Sequence, residues 1–102
     1  MAVSLLIAIL TEESSDKALD IAQRQGVRGA TLLSAEGISR TPFSTFFGLT
    51  YQAPMKLVFW IADADQANRL AQSLHTELKL DSPSQGMAFT MPIDQLHGLT
   101  LS

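Results

Sequence analysis

Apolar and polar positions along the chain fall into two similar stretches, each an apolar run followed by a helical stripe, the first from Val3 to Gln25 and the second from Met55 to Leu80. In an extended chain Val3, Leu5, Ile7 and Ile9 point one way and Leu6, Ala8 and Leu10 the other, so the first run reads as a strand with both faces covered. After Thr11 the period changes. Ser14 or Ser15 is placed to cap a helix whose stripe is Ala18, Ile21, Ala22 and Gln25, and Gly26 suits the C′ position behind it. A second strand is read from Val27 to Ala35, centred on Thr31-Leu32-Leu33 and broken by Gly37. The third, from Met55 to Ala62, is apolar on both faces through Leu57, Phe59 and Ile61 on one side and Val58 and Trp60 on the other. Asp63 or Asp65 caps the second helix, whose Ala67, Leu70, Ala71, Leu74 and Leu78 follow one helical face. Beyond a turn at Asp81-Ser-Pro-Ser-Gln-Gly86, the pattern predicts a fourth strand from Met87 to Met91, a short helical turn from Ile93 to Leu96 and an edge strand from Leu99 to Leu101.

Joined in order, these elements make a single domain over residues 1–102 with a βαββαβ, ferredoxin-like α+β fold: two helices on one face of a four-stranded antiparallel sheet. Two helices cover only that face. Because the first and third strands are apolar on both sides, the second face is expected to meet another copy of the chain, giving a homo-oligomer built through the open sheet face.

Composition narrows the function classes. Hydrophobic residues make up 46% of the chain and charged residues 17%, below the usual share of about 25%, in keeping with surface covered by a partner. Seven Lys and Arg, scattered along a chain of net charge −3, give no footprint for a phosphate backbone, so no nucleic acid is expected as partner. There is no cysteine, which excludes disulfides, thiolate nucleophiles and Cys-based zinc sites and agrees with a cytoplasmic location. No run approaches the length of a membrane span, and the apolar start of the chain reads as a buried strand rather than an export signal. His75 and His97 lie far apart with no carboxylate at ligand spacing, so no metal site is expected. Asp63 and Asp65 are better helix caps than a catalytic pair, Trp60 reads as core, and no Ser-His-acid order, phosphate-binding loop or dinucleotide fingerprint is present. Nothing marks the chain as an enzyme.

Between the second and third strands, the connection from Ile38 to Pro54 carries Phe43, Phe46, Phe47 and Tyr51 among Pro, Ser, Thr and Gly. The stretch from Gly26 to Leu33, Gly37 with Arg40, and the closing run Leu80-Asp-Ser-Pro-Ser-Gln-Gly-Met-Ala-Phe-Thr-Met-Pro-Ile-Asp-Gln-Leu-His-Gly-Leu99 together resemble the PII and PII-like signalling proteins, most closely the short-loop branch, while the connection departs from the family in being short and phenylalanine-rich where a signalling loop is usually polar. The resemblance covers essentially the whole chain, in order. It implies a homotrimer whose clefts between subunits bind adenine nucleotides and report occupancy through a loop to a partner protein, with nitrogen regulation as the family's usual setting. Carried over residue by residue, it makes Thr31, Gly37, Arg40, Gln85 and Gly86 the cofactor-binding candidates: a polar contact on the second strand, a glycine beside the nucleotide, a phosphate contact, and the turn nearest the phosphates. Two departures stand out. Met87 occupies the place of a basic residue, and Leu99-Thr-Leu-Ser102 replaces an arginine-bearing tail. Each lost charge-assisted contact is worth about 1.5–3 kcal/mol, so a small anionic effector is expected to bind more weakly than in the nucleotide-binding members.

Plainer readings exist for the same residues. Gly37 and Gly86 also suit turns needing positive φ, Arg28 and Arg40 suit solvated or inter-subunit ion pairs, and the Phe cluster suits packing at an interface. The alternative function is a ligand-free structural or protein-binding trimer of the same fold. A metal-responsive trimer of copper-tolerance type is disfavoured by the missing Cys and clustered His.

Overall fold

A computed structural model describes residues 2–36, 45–46, 49–50, 54–82 and 86–99. In chain order they form β1 (Val3–Leu10), α1 (Glu12–Arg24), β2 (Thr31–Glu36), β3 (Thr45–Phe46), β4 (Leu49–Thr50), β5 (Pro54–Asp63), α2 (Ala64–Glu77) and β6 (Gly86–Ile93). The four long strands make one sheet in the order β2-β5-β1-β6, antiparallel throughout, while β3 and β4 pair with each other. This is the ferredoxin-like arrangement the pattern predicts, with the two strands that are apolar on both faces at its centre.

The sheet's two faces separate by residue parity. Leu6, Ala8, Leu10, Val58 and Trp60 lie under the helices and pack with Ala18, Ile21, Ala22, Leu70 and Leu74 in one fully buried core. The opposite face is apolar row by row: Leu33-Leu57-Ile9-Met87 across all four strands, Phe59-Ile7-Phe89 beside it, then Ile61-Leu5-Met91. No helix among the described residues covers these rows, and Leu33, Phe89 and Met91 are exposed.

Helix ends follow local chemistry, with one correction. The cap of α1 is Thr11, not Ser14 or Ser15: its hydroxyl accepts the Ser14 N–H at 3.1 Å, and both serines are buried in the first turns, Ser15 donating to the Glu12 carbonyl at 2.7 Å. The helix starts immediately after the last paired residue of β1, which leaves Thr11 alone to cap it and puts Glu12 and Glu13 at the positive end of its dipole. Its other end closes as a Schellman motif, with Gly26 at φ +84° and the Gly26 and Val27 N–H groups bonded to the Gln23 and Ala22 carbonyls. The Asp63 carboxylate caps α2 by accepting the Gln66 N–H at 2.9 Å.

The bounds of three strands differ from the pattern, the third only by one residue at each end, Pro54 to Asp63 in place of Met55 to Ala62. The second strand starts at Thr31 rather than Val27, because Val27 is bound into the end of α1 and buried in the helical core. The fourth runs from Gly86 to Ile93. It absorbs Pro92 because β6 is an edge strand, where a missing N–H is tolerated. Ile93 pairs opposite Val3, so no helical turn forms from Ile93 to Leu96; so short a segment cannot nucleate one against a ladder already in register. Leu99 is not in a strand.

Candidate functional site

The site begins with a mismatch in strand length. β5 has ten residues, but β2 pairs only with its first six, from Pro54 to Phe59. Continuing that register past Thr31 and Phe59 would set Gly29 opposite Ile61. No backbone bond joins them. The Ala64 N–H donates to the Ala2 carbonyl at 3.0 Å, extending the β5–β1 ladder by one pair. Since opposite pairs in an antiparallel ladder alternate in bonding, even-numbered residues of β5 bond to β1, and the N–H and C=O of Ile61 turn towards the gap.

The gap is held open from both ends. The start of its outer wall is anchored where Val27 enters the core and where the Gln66 side-chain amide donates to the Gln25 carbonyl at 3.3 Å. Its far end is Thr31, paired with Phe59. Arg28, Gly29 and Ala30 arch between these anchors, exposed, and a Cβ built on Gly29 would meet nothing within 4 Å. The resulting cavity, about 810 Å³, is floored by Leu5, Phe59 and Ile61 from the open sheet face and bounded by Asp63, Gln66 and Leu99. Its volume lies in the range of small-molecule sites. It offers a paired backbone donor and acceptor, a hydroxyl at Thr31, an apolar floor, one guanidinium and one carboxylate.

Of the expected site residues, Thr31 lines this cavity. Gly86 does not: it sits opposite Leu10 on β6, the far edge of the sheet from β2, with β1 and β5 between. A single copy therefore keeps the two apart. Gly37, Arg40 and Gln85 lie outside the described residues, as do Phe43, Phe47 and Tyr51 of the long connection. Gly86 also has a purely structural demand on it. Its φ is +108°, and an added Cβ would run into the Ile9 carbonyl oxygen, so close approach of β6 to β1 itself requires glycine. Gly29, Ile61, Leu5 and Leu99 were not among the expected site residues. The signal for the first was its place in Gly26-Val-Arg-Gly-Ala-Thr; the sequence carried none for Ile61, because the second strand as read from Val27 to Ala35 is no shorter than the third, and the mismatch arises only with β2 starting at Thr31. Among the described residues no group of His, Asp and Glu is placed to hold a metal ion.

No protein-family model matches the chain, and no curated relative matches it either. Among solved structures it is similar to CPII from Thiomonas intermedia K12 bound to ADP and bicarbonate, 17% identical, covering 91% of this chain and 87% of that one at a TM-score of 0.68. It is likewise similar to CPII from the same organism bound to ADP, AMP and acetate, 15% identical, covering 90% and 86% at a TM-score of 0.69. The chain has the PII-like fold. Coverage of this extent on both sides means that the helical pair, the central strands and the sheet order all take part in the match.

Proposed function

We propose that this is a PII-like signal-transduction protein, a cytoplasmic homotrimer that senses an adenine-nucleotide-type effector at clefts between subunits and acts on a partner protein through the connection from Ile38 to Pro54. The observation that carries the reading is the splayed gap at Gly29 and Ile61. An adenine ring presents a hydrogen-bond acceptor next to an amino donor, and the N–H and C=O of Ile61 offer the matching pair over an apolar floor of Phe59 and Leu5. Thr31 stands at the inner end with a hydroxyl that both donates and accepts. The neighbours in fold that hold ADP give the class of ligand its precedent.

The separation of Thr31 and Gly86 on opposite edges fits a cleft shared between copies, where the β2 edge of one subunit meets the β6 edge of the next. The uncovered rows of the sheet supply the apolar surface for such an assembly. Binding then favours one arrangement of the connection after β2, which is the transduction step. No catalytic role enters this scheme.

The test is a thermal-shift titration with ADP and AMP on the parent and on Gly29→Val. A side chain at Gly29 projects into open space, so the variant is expected to melt with the unliganded parent yet lose the ligand-induced rise. An unshifted parent, or a variant that keeps the rise, overturns the reading. A second reading, a ligand-free protein-binding trimer, is favoured by one observation: the glycine nearest the expected phosphates, Gly86, is explained by its contact with Ile9 alone.

A further inference from the structure

Gln66 ties the two walls of the gap together. Its backbone N–H donates to the Asp63 carboxylate that caps α2, at 2.9 Å, and its side-chain nitrogen reaches the Gln25 carbonyl at 3.3 Å, where the outer wall begins. A Cβ on Gly26 would lie 3.8 Å from that nitrogen, so the amide is seated against the first residue of the wall. The carbonyl it grips is itself fixed to α2, because the Gln25 side chain donates to the Ser73 hydroxyl and the neighbouring Arg24 pairs with Glu77. Half-buried, the same Gln66 side chain lines the cavity with Phe59 and Ile61. A carbonyl only accepts, so the amide atom that faces Gln25 has to be the nitrogen, and this fixes the flip of the group. Its oxygen keeps its acceptor sites for another donor.

Resting on the reading of the gap as the effector site, we propose that Gln66 is a specificity-determining residue whose amide oxygen accepts from the 6-amino group of an adenine and turns away purines with a carbonyl at that position. The amino group has two hydrogens. The Ile61 C=O takes one and the Gln66 oxygen the other. In hypoxanthine an oxygen replaces the amino group and would face both acceptors unpaired. Turning the amide to offer its nitrogen instead would set its oxygen against the Gln25 carbonyl, so the choice of base is built in before binding. These contacts lie within one copy and concern the base alone. Groups that the connection or a second copy brings to the phosphates act alike on two diphosphates that differ only in the base.

The experiment is calorimetric binding of ADP and inosine diphosphate, with adenosine and inosine in parallel, to the full-length protein and to Gln66→Leu and Gln66→Glu. The parent is expected to prefer the adenine compound of each pair by about a hundredfold, and Gln66→Leu to narrow that preference to about tenfold, the part read by Ile61. Gln66→Glu keeps an acceptor at the same reach, loses the bond to Gln25, and places an acidic residue in the first turn of α2, where the helix dipole favours it. It is expected to keep the parental preference in the uncharged pair, even where its carboxylate weakens both diphosphates. Equal weakening of both bases in Gln66→Leu, or a preference lost alike in the two variants, assigns Gln66 to anchoring the wall and overturns the proposal. So does a parent that binds the two bases within about threefold of each other, a spread well under one tenfold step, while leaving the effector site standing. Failure of ADP and adenosine to bind the parent overturns both.

Discussion

The two faces of the sheet are written in the same alphabet and end in different places. Leu6, Ala8, Val58 and Trp60 are buried to 1% or less beneath the helices, whereas their alternating neighbours Ile7, Phe59, Phe89 and Met91 stay partly or largely exposed. The helix face is finished within one chain. The open face is equally apolar, so its composition reflects a requirement that one copy does not meet. The difference teaches that an apolar run dictates burial without dictating what does the burying, and that the two faces must respond differently to the same kind of substitution.

The largest response is expected from the finished face. Trp60→Ala leaves a cavity in the helical core and should cost about 3–5 kcal/mol, read from urea denaturation at fixed protein concentration. Gly86→Ala comes next. It forces a Cβ against the Ile9 carbonyl at a φ that side chains avoid, and about 3 kcal/mol is expected from such backbone strain, which makes this substitution a probe of the β6–β1 ladder rather than of ligand binding. On the open face, Phe89→Glu should change the stability of an isolated subunit by no more than about 0.5 kcal/mol, as an exposed position does, yet shift sedimentation from the proposed trimer to monomer. A variant that remains trimeric refutes the assignment of that face to assembly. Loss of the Thr11 cap in Thr11→Ala should cost about 1 kcal/mol. Smallest of all, Arg24→Ala breaks a largely exposed ion pair with Glu77 and should cost less than about 0.5 kcal/mol, vanishing in high salt.

How much of this was legible in the chain depends on whether the deciding interaction is local. The stripe of Ala67, Leu70, Leu74 and Leu78 states α2 outright, and double-sided apolar runs placed β1 and β5 at the centre of the sheet. Gly26 announced the end of α1 because its role is met within a few residues. The start of β2 was not legible, since Val27 has strand-like chemistry and is diverted by a bond to Ala22 and by burial in the helical core. The gap follows from that diversion, so Gly29 and Ile61 could be joined into a site only after the sheet register was known. Thr31 became a candidate by family likeness, and the residues that line the cavity beside it by geometry. Gly86 was read as a ligand contact because a close approach to a backbone carbonyl and a close approach to a phosphate call for the same residue.

Trp60 lends itself to one more use. It is the only tryptophan in the chain, its indole is enclosed on the helix side of β5, and the peptide group that follows it belongs to the open edge at Ile61. The protein thus carries its own optical reporter, one residue from the place where a ligand would dock. Emission from an enclosed indole starts blue-shifted, and a strand edge that tightens around a guest changes the packing and the field that the ring experiences. At the proposed site, occupancy would be followed by fluorescence in unlabelled protein, in real time and at low concentration.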